Sequence, residues 1–184
     1  MKPYPELRTD RLTLREFVPE DAPEVQRLVG AREVARTLPV PHPYEDGMAE
    51  EWIASHRSAF EDGRHVSLAV TLRKHSALIG CITLDLNARD ENAELGYWIG
   101  APYWGRGYAT EAVNEMLCYG FEELGLHRVQ ASHLGNNPAS GKVLQKVGMS
   151  HEGTRPEHYE RWGEHYDCVL YGLLASDWRK IKVR

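Results

Sequence analysis

Apolar positions recur with two periods along this chain, and the changes between them mark its elements. Residues 12–17, Leu-Thr-Leu-Arg-Glu-Phe, alternate and predict a short strand entered from Arg8-Thr9-Asp10-Arg11. Pro19-Glu20-Asp21-Ala22 then opens a helix, with Ala22, Val25, Leu28 and Val29 as its stripe up to Gly30. Prolines 39, 41 and 43 forbid regular helix, so residues 39–43 read as a loop. A longer helix is expected over 45–61, with Met48, Trp52, Ile53, His56 and Phe60 on one face and Asp62-Gly63 as its stop. Val66, Leu68, Val70 and Leu72 alternate again, residues 73–76 are a polar turn, and 78–86 return as a second strand with Gly80 at a candidate bulge.

After a polar loop over 87–92, Leu95, Tyr97 and Ile99 give a third strand, which Pro102 stops. Helical spacing resumes at Ala109, Ala112, Val113, Met116, Leu117, Phe121 and Leu124, and Gly125 closes it. Residues 127–134 read as a strand. Asn136-Asn137-Pro138-Ala139-Ser140 opens another helix, with Val143, Leu144 and Val147 on its face and Gly148 at its end. Residues 151–160 and 165–174 form a terminal hairpin about Trp162-Gly163. Three antiparallel strands before the central helix exclude a simple alternating doubly wound sheet. If the strand at 127–134 returns beside the third strand across that helix, the two are parallel, joined by a right-handed crossover.

A length of 184 residues is one ordinary domain, read here as 1–184, without internal repeats. No apolar run approaches the ~20 residues of a membrane span. Met1-Lys2-Pro3-Tyr4-Pro5 lacks the apolar core of a signal peptide, so the expected compartment is the cytoplasm. Cys81, Cys118 and Cys168 sit far apart in apolar settings and are expected to be buried thiols. His127 and His133 share a strand face but lack a third ligand, so no metal site is expected. A net charge of −5 without clustered Lys and Arg argues against nucleic acid as a partner. Acidic residues gather at Glu45, Asp46, Glu50 and Glu51 and again at Glu157, Glu160, Glu164 and Asp167, a balance suited to a cationic acceptor and equally to solvated surfaces.

The chemistry concentrates between the third strand and the central helix, at Trp104-Gly105-Arg106-Gly107-Tyr108-Ala109-Thr110. Gly105 and Gly107 leave the main-chain N–H groups of 105–110 uncovered where a helix start has free donors and the positive end of its dipole. Such a turn suits a phosphate or pyrophosphate. It is not a P-loop, because Tyr108 and Ala109 follow where Lys and Ser/Thr belong, nor a dinucleotide fingerprint, whose third glycine is Thr110 here. The stretch resembles the acetyl-CoA loop of the Gcn5-related N-acetyltransferase (GNAT) superfamily, Gln/Arg-x-x-Gly-x-Gly/Ala, with Trp104 departing at the first position. Together with Glu94-Leu95-Gly96-Tyr97-Trp98-Ile99 before it and Thr110-Glu111-Ala112 after it, it resembles the branch containing the ribosomal-protein N-terminal acetyltransferases. That branch also shows Asn-x-x-Ser followed by Leu-x-Lys-x-Gly-Phe. Here Asn137 to Ser140 and then Leu144 to Met149 match it, with Met149 for Phe.

The resemblance implies an α+β fold: a single domain with a mixed, mostly antiparallel central sheet, a parallel splayed strand pair forming the cofactor cleft, and helices on both faces. It implies acetyl-CoA as cofactor, with Gly105, Arg106, Gly107, Tyr108, Ala109 and Thr110 on the pyrophosphate, and Trp98 and Ile99 beside the pantetheine arm. A main-chain N–H near Ile99 would polarise the thioester carbonyl. Asn137 would contact pantetheine or cap its helix, and Ser140 would protonate the departing thiolate or simply hydrogen-bond the helix start. The base is open among Glu94, Glu157, Glu160 and a water chain, and each glutamate has a plain surface reading too. Trp98, Tyr103 and Trp104 read as packing, with Trp98 also able to line the acceptor cleft. The implied acceptor is a primary amine, such as the N-terminus of a ribosomal or other protein, on a monomer or homodimer. Small polyamines or aminoglycosides, a non-catalytic acyl-CoA-binding module and, less well matched, a dinucleotide-dependent oxidoreductase are the alternatives.

Overall fold

The computed structural model describes residues 3–182. Met1 and Lys2, part of the stretch read for a targeting signal, lie outside the described residues, as do Val183 and Arg184. Strands β1 (Leu7–Arg8), β2 (Leu12–Arg15), β3 (His65–Leu72), β4 (Leu78–Asn87), β5 (Asn92–Ile99), β6 (Arg128–Leu134), β7 (Ser150–Arg161) and β8 (Glu164–Leu174) form one sheet. Their order is β1-β2-β3-β4-β5-β6-β8-β7, and only the β5–β6 pair is parallel. The mixed, mostly antiparallel sheet with its parallel central pair is therefore as expected. The helices are α1 (Ala22–Val29), α2 (Arg32–Ala35), α3 (Met48–Glu61), α4 (Tyr108–Cys118), α5 (Pro138–Lys146) and α6 (Ala175–Lys182).

Strand alternation gives each sheet face its own core. Leu68, Val70, Ile82, Leu84, Leu95 and Ile99 pack with Val113, Met116 and Leu117 of α4, Leu144 of α5 and Trp178 of α6. Ala69, Leu78 and Cys81 pack on the other face with Ala22, Val25 and Val29 of α1 and Ala49 and Ile53 of α3. Covered on both faces, β3 is buried almost throughout, which is why its sequence reads apolar at more than alternate positions. Each fully buried Leu or Val contributes roughly 1.5–3 kcal/mol. Beside Gly80, the register of β3 on β4 shifts between Val70 and Thr71, so the expected irregularity is present.

Several boundaries differ from expectation. Helix α3 starts at Met48 rather than residue 45, because Gly47 has φ +89° and cannot lie inside a right-handed helix. Helix α4 widens after Cys118 into a π turn over Tyr119–Glu123. The short β1 and α2 and the terminal α6 were not anticipated. Cys81 and Cys168 are buried as expected, but Cys118 is only half-buried, on the outer side of α4 with Sγ 3.3 Å from Glu122. Among the described residues no helix is long and apolar enough to cross a membrane.

His56 is 5% exposed and neither of its ring nitrogens has a partner among the described residues. It packs against Trp52 and Phe17, with ring centroids 4.3 and 5.4 Å away. Burial, and secondarily the nearby His65, lowers its pKa from 6.5 to about 4. The unfolded chain takes up this proton near pH 6.5 and the folded one only near 4. The stability owed to a neutral His56 is thus full above pH 6.5 and declines as pH falls towards 4, by about 3 kcal/mol in total. Replacing His56 with Leu should flatten the fall of unfolding free energy across that window, measured by urea titration at several pH values. Parallel pH profiles for the two proteins would contradict it.

Candidate active site

Only three residue pairs hold β5 to β6: Asn92 with Arg128, Ala93 with Val129 and Glu94 with Gln130. Beyond them β5 stays paired to β4 as far as Ile99, while β6 runs on beside β8 to Leu134. The two parallel strands therefore part after Glu94. The Gly100 N–H donates to the Ile79 carbonyl at 2.8 Å, which fixes the alternation along the β4–β5 ladder. Even-numbered residues of β5 turn their main chain to β4, so Leu95, Tyr97 and Ile99 present theirs to the gap. The Ile99 carbonyl is taken by the Trp104 indole N–H at 2.5 Å, which ties the glycine turn back to the strand.

The turn itself has the geometry its glycines suggest. Gly105 and Gly107 have φ +73° and +80°, both are exposed, and nothing lies within 4 Å of a Cβ built on Gly105. Gly107 is the N-cap of α4, which begins at Tyr108 rather than at Ala109. The first turn of α4 is fastened to the far edge of the sheet. Glu111 accepts hydrogen bonds from the Thr9 hydroxyl at 2.5 Å, the Arg11 main chain at 2.9 Å and Arg11 Nε at 2.6 Å. Burial would raise the Glu111 carboxyl, but these hydrogen bonds and the Arg11 charge outweigh it and hold the pKa below its ordinary value. Arg11 also donates to the Arg106 carbonyl at 2.9 Å and lies 4.7 Å from the Tyr108 ring centroid. Arg106 is exposed, and Tyr108, Ala109 and Thr110 are half-buried.

Across the gap, Asn137 caps α5 by accepting the Ser140 N–H on its side-chain oxygen at 3.3 Å. The Ser140 hydroxyl lies 2.7 Å from the Tyr97 hydroxyl, which is also 3.2 Å from the Ser140 carbonyl. Burial pushes the Tyr97 phenol up to about 12, with Tyr171 adding and Ser140 opposing. Tyr97 is thus a neutral phenol linking β5 to the start of α5. Sequence reasoning read Tyr97 as an apolar strand position whose main chain lies beside the pantetheine arm, and gave its hydroxyl no role; its place in the stretch carrying the resemblance was the available signal. His133 packs on Tyr171 and its Nδ1 lies 2.8 Å from the Leu134 carbonyl, while His127 precedes β6 and is exposed.

The opposite face of the gap carries different chemistry. Glu94 is exposed and accepts from the Ser132 hydroxyl at 3.3 Å, exactly where the parallel register ends. Tyr159 of β7 interacts with Ser132, Cys168 and Glu94, and burial, then the Cys168 thiol, raises its pKa. Trp98 packs with the α1–α3 core on this face, away from Tyr97. Most of the hairpin carboxylates hold the hairpin itself. Asp167 accepts the Glu157 N–H at 2.9 Å, Glu160 accepts the Gly163 N–H at 2.5 Å and Glu164 accepts the Tyr166 hydroxyl. Glu157 is exposed, with φ +47° in the irregular stretch between Arg155 and Tyr159.

A splayed parallel pair facing a glycine turn at a helix N-terminus defines a class, and comparison with known proteins assigns it. The family described as acetyltransferase (GNAT) domain matches residues 11–150. The chain is 30% identical over 172 residues to the uncharacterized N-acetyltransferase YoaA of Bacillus subtilis (strain 168), covering 93% of this chain and 97% of that one. It is 32% identical over 84 residues to the [Ribosomal protein uS5]-alanine N-acetyltransferase of Escherichia coli (strain K12), covering 46% of this chain and 43% of that protein. The solved structure of RimL, a ribosomal L7/L12 alpha-N-protein acetyltransferase in complex with coenzyme A, shares the fold at TM-score 0.85 and 15% identity, over 92% of this chain and 98% of that one. The chain belongs to the GNAT acetyltransferase family and is an N-acetyltransferase by class.

Removing the Glu111 clasp should loosen the turn from the sheet edge. Glu111→Ala is expected to cost about 1–2 kcal/mol, since the pair is partly screened by solvent. A lowered denaturant midpoint with unchanged m-value is the expected result; an unchanged midpoint would show the clasp to be energetically idle.

Proposed function

We propose that the protein transfers the acetyl group of acetyl-CoA directly to a primary amine, and that the amine is the N-terminal α-amine of a protein or peptide. The parting of β5 from β6 carries this reading, because it exposes extended main chain beside an anion-binding helix start. The turn fits the cofactor: Gly105 and Gly107 leave room for a pyrophosphate against the first amides of α4. Acetyl-CoA supplies the thioester and its thiol leaving group. The edge of β5 from Tyr97 to Ile99 would hold the pantetheine amides, and the Ile99 N–H would be the donor for charge developing on the carbonyl oxygen.

Two faces divide the proton work. On the α5 side the Ser140 hydroxyl would supply the proton that the departing sulfur needs, with the Tyr97 hydroxyl 2.7 Å away holding it in place and relaying a proton back to it from solvent. On the hairpin side Glu94, with Ser132, removes the proton that the attacking nitrogen sheds as the C–N bond forms. Glu157 and Glu160 lie on the hairpin, and Glu160 is engaged at its turn, so Glu94 is the better-placed base. An α-amine near pKa 8 needs little help to deprotonate, whereas a lysine or polyamine near 10 needs about 3 kcal/mol more at fixed pH. A solvent-exposed carboxylate suits the former. The relatives that act on ribosomal proteins support the same acceptor.

Three measurements test this. Gly107→Val places a β-branched residue at φ +80° over the amides, and calorimetry should show CoA affinity falling at least about tenfold in a folded protein. Ser140→Ala should lower kcat on the order of 100-fold with little change in acetyl-CoA affinity. Free-CoA release across a panel of N-terminal peptides, polyamines and aminoglycosides should favour the peptides, with rate rising through the peptide amine's own pKa. Turnover of polyamines alone would defeat the acceptor assignment.

A further inference from the structure

The edge of β5 that faces the gap is closed at one end by a side chain of the glycine turn. Tyr97 and Ile99 turn their main chain away from β4 and lie beyond the last residues paired to β6. Each therefore brings an N–H and a carbonyl to the gap. Of these four groups the Ile99 carbonyl is the one that a side chain occupies among the described residues, through the Trp104 indole N–H at 2.5 Å. A short path fixes the indole there. The Gly100 N–H returns to the Ile79 carbonyl, the Tyr103 N–H to the Gly100 carbonyl at 2.9 Å and the Trp104 N–H to the Ala101 carbonyl at 3.2 Å. These bonds wind residues 101–103 into one tight turn that brings position 104 back over the end of the strand. A Cβ on Gly100 would stand 2.5 Å from Leu28 of α1, so glycine lets that turn sit against the helix. Trp104 is 48% exposed, so core packing does not account for a tryptophan at this position.

An open strand edge does not by itself decide where a partner begins to pair. Its donors and acceptors repeat every two residues, about 6–7 Å, and an amide chain laid along it can slip by that repeat. The Ile99 carbonyl is the edge group nearest the glycine turn, so an arm that leaves a phosphate held at the turn meets it first. We propose that Trp104 is a positioning residue: by filling the Ile99 carbonyl it sets the register in which the cofactor's amide arm pairs with β5, and with it the place of the thioester. The proposal rests on the cofactor site argued above. With the indole N–H in place, the first open group is the Ile99 N–H, and pairing starts there. Without it, the Ile99 carbonyl captures an amide N–H of the arm, and a register one step nearer the turn competes. Such a competitor draws the thioester back from the groups that act on it. The turn keeps its second anchor, Arg11 to the Arg106 carbonyl at 2.9 Å, so the phosphate site outlasts the loss of the indole N–H.

The experiment compares wild-type protein with Trp104→Phe, and with a protein carrying benzothiophene in place of the indole at position 104, which keeps the bicyclic ring and lacks the N–H. At saturating acetyl-CoA and amine, kcat should fall about fivefold in both variants, the population shift that one further hydrogen bond can drive. CoA affinity by calorimetry should stay within about threefold of wild type. Acetyl-CoA labelled with 13C at the thioester carbonyl, bound without an amine, should give a carbonyl resonance that moves or splits in the variants. Saturating cofactor refills a merely loosened turn, so a bracing role alone would weaken CoA binding and leave kcat as it was. An unchanged kcat, whether or not CoA affinity falls, or a labelled resonance at the wild-type position in both variants, overturns the register proposal and leaves the cofactor site standing. Wild-type protein that binds no CoA overturns both.

Discussion

The structure depends on two parallel strands that pair for three residues and then separate. A sheet normally consumes its main-chain donors and acceptors in its own ladders, and leaving them unpaired in the middle of a sheet is costly. Here the separation is held by what packs on β6 and β8. A Cβ on Gly141 of α5 would stand 2.7 Å from His133 Nε2 and 3.0 Å from the Tyr171 hydroxyl, so glycine is what lets α5 seat this closely. His133 and Tyr171 stack beneath it, and Gln145 reaches the Tyr171 hydroxyl at 3.3 Å. The start of α5 is thereby fixed over the opening, and Tyr97 ties it to the opposite strand.

The glycine turn is made rigid from a distance. Thr9 and Arg11 are about a hundred residues before Glu111 in sequence, yet they hold the first turn of α4 and the carbonyl of Arg106. Two left-handed glycines alone would give a pliable loop; anchoring on both sides, by Trp104 to Ile99 and by Arg11 to Arg106, makes it a preformed one. A preformed anion site spends less binding energy on ordering itself. The two-residue β1 and its turn into β2 thus anchor the glycine turn although they lie at the sheet's opposite edge.

Elements with clean periodicity were legible in sequence. The alternation of Val66 to Leu72 and of Leu95 to Ile99 reports strands, and Asn137-Pro138 reports the start of α5, because local sterics and capping decide those positions. What stayed hidden depends on tertiary contacts. Helix α2 is only Arg32–Ala35 and forms against α1, too short for a period to show. Helix α6 begins at Ala175 directly after β8, without a break, and buries Trp178 against Phe121, 5.7 Å away. Position 45 as the start of α3 ignored Gly47, whose conformation the following fold imposes. The Tyr97 to Ser140 hydroxyl pair spans 43 positions, and no local pattern encodes it.

Charge was the least legible property, and the reason is geometric. The acidic run from Glu157 to Asp167 suggested a surface that attracts cations, but a hairpin carboxylate can fold back on its own main chain. Asp167 and Glu160 accept backbone N–H groups, and Glu164 accepts a phenol, so these carboxylates are turned into the hairpin's own hydrogen bonds. Arg32 and Arg36, more than a hundred residues earlier, stand unpaired across from that same hairpin among the described residues. Strand alternation then sorts the faces of β5: Tyr97 turns to α5, Glu94 and Trp98 turn to the opposite face, and the main chain lies between them in the plane of the sheet. The field an incoming amine meets is therefore set by which side chains stand on one face, Glu94 among them, rather than by a count of charges along the sequence.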